Sequence, residues 1–156
     1  MRLLIVAVGR LRAGPEAELL ADYSARTGKT GRGKGLGPLE TREVEHRSGG
    51  GKSAEAALLE RQIPDGAAVV AMDERGKAMA SPDLATWLAE RRDDGIRDCA
   101  FLIGGADGLA PDLRARADLT LSMGKMVWPH MLARVMLAEQ LYRSASILAG
   151  TPYHRA

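Results

Sequence analysis

His130 and Arg134 stand four positions apart at the head of the last long helical pattern, and Thr151, Pro152, Tyr153, His154 and Arg155 follow that pattern just before the final Ala156. Projected at about 100° per residue, the pair shares the face that carries Ala138, Leu141 and Ala145, while Glu139, Gln140 and Arg143 fall on the other side and are expected to face solvent. A charged group on an apolar face costs several kcal/mol unless it is paired or meets an anionic ligand. Two readings of Arg134 follow: a buried ion pair or interface arginine, or an arginine that lines a site for an anionic or polar substrate together with His130. Tails are commonly disordered. Tyrosine, histidine and arginine directly after a buried helix are nevertheless the types that stack on bases and bind phosphate.

A second chemical signal is the glycine corner FLIGGADG, which begins at Phe101. Gly104 and Gly105 follow an apolar run, and the missing Cβ lets a backbone approach a cofactor closely. The spacing is not that of a dinucleotide fingerprint. GGGKS at 49–53 resembles the end of a phosphate-binding loop, but His46 stands where that pattern needs glycine, and the preceding TREVEHRSGG is too charged for the strand that should feed it. A nucleotide phosphatase built on this loop is therefore disfavoured. His46, His130 and His154 are isolated from one another and neither CxxC nor HExxH occurs, so no metal is expected. A serine nucleophile elbow is absent.

These groups need a scaffold. Short aliphatic runs at 3–8, 67–72 and 100–103 read as buried strands. Helical patterns lie between them: one from Pro15, one from Ser53 with that serine as N-cap, and one from Ser81 with Pro82 in its first turn and Gly95 closing it. A short helix is expected at 111–117 and a long one from Met131 to about Ala149. Alternating strands and helices imply an α/β fold with a parallel sheet. The glycine-rich stretches 28–37 and 49–53 are expected to be exposed, flexible loops.

With 156 residues, 46% of them hydrophobic, the chain has enough material for one ordinary core, and a single domain over 1–156 is expected. Aromatic residues make up only 4%, so aliphatic side chains must build that core. A formal charge of +2 permits an anionic partner without requiring one. Arg26, Lys29, Arg32 and Lys34 cluster, followed by Arg42, Arg47 and Lys52, either as a solvated basic surface or as an RNA contact. The lone Cys99 sits in an apolar run and allows no internal disulfide, which fits a cytoplasmic protein. MRLLIVAVGRLR is too short in its apolar part to span a membrane and reads as a first strand rather than a signal peptide.

The ordered set MRLLIVAVGR, FLIGGADGL, LSMGKMVWPH, RVMLAEQLYR and terminal PYHR closely resembles the RlmH family, SPOUT-class methyltransferases of large-subunit ribosomal RNA, over almost the whole chain. The resemblance implies a SPOUT-type parallel sheet flanked by helices, with a deep trefoil knot in about residues 70–156. It also implies a homodimer that uses S-adenosylmethionine to methylate N3 of a pseudouridine in the decoding-side stem-loop of 23S rRNA, within an assembled ribosome. By that resemblance the methyl donor is held by Met72, Gly104 and Gly105, and by the loop of Gly124, Lys125, Met126, Val127, Trp128 and Pro129. His130, Arg134, His154 and Arg155 become the catalytic candidates. Tyr142 and Tyr153, with Arg134, His154 and Arg155, become the substrate-binding candidates, and the tail is expected to reach across the dimer.

N3 of a pseudouridine is a poor nucleophile until deprotonated, so a base or an electrostatic aid is required, and His130 and His154 are the candidate bases. Arg134 and Arg155 would stabilise the anionic charge developing on the uracil oxygens. Other readings are the same chemistry on another RNA such as transfer RNA, and a noncatalytic ribosome-binding protein that uses the basic loops alone.

Overall fold

A computed structural model describes residues 1–45 and 50–155. His46, Arg47 and Gly49, which entered the sequence argument, lie outside the described residues. Among the described residues ten strands and α-helices alternate: β1 (Arg2–Val8), α1 (Pro15–Gly31), β2 (Leu39–Val44), α2 (Gly51–Arg61), β3 (Ala68–Ala78), α3 (Ser81–Asp93), β4 (Asp98–Ile103), α4 (Pro111–Arg116), β5 (Leu119–Ser122) and α5 (His130–Ala149). The strands form one sheet in the order β2-β1-β4-β3-β5, and every pairing is parallel. This is the α/β architecture that alternating patterns imply.

Alternate strand residues feed two apolar layers. Leu3, Ile5, Val70, Phe101 and Leu121 face Leu20 of α1, Leu84 and Leu88 of α3, and Leu137 and Leu141 of α5. Leu4, Val6, Val69, Ala71 and Leu102 face Leu59 of α2 and Leu113 of α4. Both faces of the central strands are therefore covered, which is why β1 and β4 are written almost wholly in aliphatic residues. Burying each such side chain contributes about 1.5 to 3 kcal/mol. Prolines set several helix starts, at the first turn of α1, α3 and α4, where the fixed φ and missing N–H cost nothing.

Several expectations are corrected. The stretch 28–37 is no loose loop: α1 continues through Gly31, and a short 3-10 turn at Arg32–Lys34 follows. Gly31 is required by proximity rather than flexibility, because a Cβ there would fall 1.9 Å from the carbonyl oxygen of Leu36, which is 1% exposed. Helix α2 starts at Gly51, two residues before Ser53, and Gly50 occupies the N-cap. β2 and β5 are strands that periodicity did not reveal. Both lie at sheet edges, where one flank needs no apolar partner and charged residues such as Glu40, Arg42 and Glu43 are tolerated. Among the described residues no helix is long and apolar enough to cross a membrane.

Candidate active site

The carboxyl ends of β3, β4 and β5 open into a cleft of about 310 Å³, within the range that small-molecule sites occupy. β3 makes its wall by breaking register. Met72 and Lys77 both pair with Leu121, so Asp73, Glu74, Arg75 and Gly76 loop out of the sheet. The return is possible because Gly76 carries no side chain, since a Cβ would lie 2.5 Å from the Thr120 carbonyl oxygen. Asp73 is nearly inaccessible, with 6% of its side chain exposed, and accepts from Arg75 Nε and Nη2 at 2.9 and 3.0 Å and from Arg114 Nη1 at 3.2 Å. The hydrogen bonds from Arg75 hold its carboxyl well below the ordinary carboxylate range.

The second wall is the glycine corner after β4. Gly108 turns back with φ +79° and donates its N–H to the Gly105 carbonyl at 2.9 Å. A Cβ on Gly104 would sit 2.5 Å from the Gly108 carbonyl carbon and 2.7 Å from its oxygen, so only glycine allows the turn to close. The third wall is the 122–129 segment. Gly124, with φ +105°, is held by its N–H and carbonyl to Ser122 Oγ, each at 3.1 Å. Met126, Val127 and Trp128 then expose 73%, 85% and 37% of their surface, an unusual outlay of apolar area beside a cleft.

Met72, Gly104, Gly105, Gly124, Met126, Val127, Trp128 and His130 all line this cleft. Lys125 and Pro129 belong to the same segment but not to its lining, and Pro129 instead caps α5 by accepting the Ala133 N–H at 2.9 Å. Asp73, Glu74, Arg75 and Asp107 also line it. Sequence reasoning did not single these out, although DERG directly after an apolar run was a visible turn signal.

Arg134 lies elsewhere. Its side chain is fully buried behind the cleft, with Nη1 donating to Glu43 Oε2 at 2.9 Å and Nη2 to the carbonyls of Gly9 and Val8 at 3.2 and 3.4 Å. Of the two readings of an arginine on an apolar face, the buried ion pair is the one this chain displays.

The tail also lies away from the cleft of its own chain. Gly150 reverses the backbone with φ +70°, and Tyr153 donates its hydroxyl to Glu139 Oε1 at 2.9 Å. Burial, reinforced by that bond, pushes the Tyr153 hydroxyl up. Tyr142 packs on Tyr153 with ring centroids 4.5 Å apart, and Arg143 Nη1 donates to His154 Nδ1 at 3.3 Å. Glu139 is half-buried and is bonded also by Arg143 and Gln140, so the side of α5 expected to meet solvent is the plate on which the tail docks. Glu139 stands nine residues beyond His130, about 13 Å along the helix axis. Arg155 is exposed beyond it.

The fold matches that of a probable methylase family protein from Haemophilus influenzae, with a TM-score of 0.53 at 13% identity, covering 99% of this chain and 70% of that one. A family model described as "Predicted SPOUT methyltransferase" matches residues 1–154, and the chain belongs to the SPOUT methyltransferase family. Within it, the chain is 63% identical over 155 residues to the Ribosomal RNA large subunit methyltransferase H of Roseobacter denitrificans, covering 99% of each. The protein of that name from Dinoroseobacter shibae is 64% identical with the same coverage.

Proposed function

We propose that the protein transfers the methyl group of S-adenosylmethionine to N3 of a pseudouridine in the decoding-side stem-loop of 23S rRNA, acting in the cytoplasm as a homodimer on an assembled ribosome. The observation that carries this reading is the cleft, in which a chain similar from end to end to ribosomal RNA methyltransferases gathers Met72, the glycine corner, the 122–129 segment and His130. The single domain 1–156, knotted over about 70–156, belongs to the same proposal.

The residues present suit the donor. Gly104 lets the turn close on Gly108 and so shapes the cleft wall, and Met72, Met126, Val127 and Trp128 offer apolar surface to an adenine while nearby main-chain groups supply polarity. When bound, S-adenosylmethionine supplies an electrophilic methyl on a sulfonium, which an aligned nitrogen displaces in line. The chain's own part is to position the reactants and manage one proton. His130 lines the cleft, and in this reading it takes the N3 proton. With Nδ1 engaged by Arg143, His154 has Nε2 left to meet a uracil oxygen together with Arg155.

The tail docks on Glu139, about 9 Å along α5 from Ala133, and no tail residue lines the cleft of its own chain, which favours a site completed by a second copy; exposed Met126, Val127 and Leu132 offer apolar rim for it. The test is calorimetry followed by transfer of isotope-labelled methyl to ribosomes from cells lacking the protein. Binding of S-adenosylmethionine with label appearing in 23S rRNA supports the reading. ATP binding without donor binding, or label only in transfer RNA, defeats it.

A further inference from the structure

Two groups of basic residues lie at opposite ends of the strands. Lys29, Arg32 and Lys34 close α1 and the turn after it, next to Gly35, whose carbonyl accepts from the Met1 ammonium at 2.5 Å. That is the amino edge, opposite the cleft. At the carboxyl edge, the turn at residues 9–14 joins β1 to α1 and carries exposed Arg10 and Arg12 on either side of Leu11, which packs against the core.

This turn is held far more firmly than an exposed connection needs. Gly9 donates its N–H to Val44 at 2.9 Å, Arg134 reaches the Gly9 carbonyl at 3.2 Å, and Glu43 accepts both the Leu11 N–H and Arg134 Nη1. One buried guanidinium and one carboxylate thus tie the turn to β2 and α5 together. A Cβ on Gly9 would lie 3.6 Å from Met131 Cε, so the turn rests on the first turn of α5. The neighbouring residues of that helix, His130 and Ala133, line the cleft.

Arg10 and Arg12 differ from the other unpaired arginines in sitting on a fixed turn that rests against the first turn of α5. Arg2, Arg26, Arg114 and Arg143 each meet a carboxylate within the chain. Arg10 and Arg12 have no ion pair or side-chain hydrogen bond among the described residues. A fixed main chain that presents two uncompensated guanidiniums at the rim of a site suits a polyanion, because Arg binds phosphate oxygens through a planar fork of donors.

We infer that the β1–α1 turn is an RNA-gripping element in which Arg10 and Arg12 bind the sugar–phosphate backbone beside the target nucleotide, with the Arg134–Glu43 pair setting their position. This rests on the proposed function above. It assigns phosphate contact, and so affinity and register, to a segment distinct from the groups that hold the donor.

The test compares full-length wild type with an Arg10→Gln/Arg12→Gln variant, both residues being exposed so that folding is spared. Binding to ribosomes from cells lacking the protein is measured at fixed magnesium as potassium chloride rises from about 50 to about 200 mM. The variant is expected to bind roughly tenfold more weakly and to show a salt slope shallower by about 1 to 2, the release expected for two lost phosphate contacts. Its KM for ribosomes rises, while donor affinity and turnover at saturation stay at the wild-type level. An unchanged slope and unchanged KM, with wild type active, overturn the inference alone. A wild type that methylates no RNA defeats the proposed function and this inference with it.

Discussion

Arg134 donates from Nη1 to Oε2 of Glu43 at 2.9 Å, joining α5 to the edge strand β2 across 91 positions of sequence. The arginine is fully buried and Glu43 keeps 34% of its side chain exposed, so the pair is a structural tie whose acidic end still feels solvent.

Replacing Arg134 with Met is therefore expected to lower stability by about 2 to 3 kcal/mol, the lower side for a broken buried pair because the stranded carboxylate can hydrate. Thermal unfolding checks it. Adding Glu43→Gln should cost less than the sum of the two single changes. An Arg134→Met protein with wild-type unfolding but no turnover would return the residue to the substrate.

Gly104 and Gly124 border the same cleft for different reasons. Gly104→Ala drives a methyl into the Gly108 backbone and should cost about 1 to 3 kcal/mol while weakening S-adenosylmethionine binding more than tenfold. Gly124→Ala meets open space at φ +105° and carries only the strain of that conformation, about 1 kcal/mol. Calorimetry on both variants should show a clear loss for the first and a smaller one for the second.

His154→Ala removes the ring that Arg143 engages but nothing that lines the cleft. Donor affinity is expected to stay within about twofold while turnover falls by about 10² or more, as for other lost proton-transfer or charge-stabilising groups. Equal losses in both would show that the tail shapes the donor cleft. Tyr153→Phe should reproduce part of the effect, since it unpins the tail from Glu139.

Asp73 gives a pH prediction. Its folded-state pKa is depressed, so its contribution to stability is complete above the unfolded value of about 3.9 and is lost as pH falls through the lower folded value. In urea titrations, Asp73→Asn should therefore be less stable than wild type at pH ~7, with the gap closing below about pH 3. Parallel curves throughout would mean that the arginines around Asp73 add nothing to folding.

The legible parts of the sequence were those where one physical demand dominates. β1 and β4 are covered on both faces, so they read as aliphatic runs, and α5 betrayed its buried side through Ala138, Leu141 and Ala145. β2 and β5 escaped because edge strands need little apolar patterning. The glycines of 28–37 looked like flexibility, whereas Gly31 answers a backbone contact that no local pattern encodes. Arg134 announced that it needed a partner, but Glu43 is too distant in sequence for spacing to name it. Asp73 and Arg75 went unnoticed because their importance comes from a register break, which depends on how β3 meets β5.

The central claim is methyl transfer to one ribosomal pseudouridine, and mass spectrometry of 23S rRNA fragments tests it most directly. Fragments from cells lacking this protein should carry the decoding-side pseudouridine without its N3 methyl, and the full-length chain with S-adenosylmethionine should restore that single methyl. A fragment identical in mass to that from wild-type cells would contradict the account.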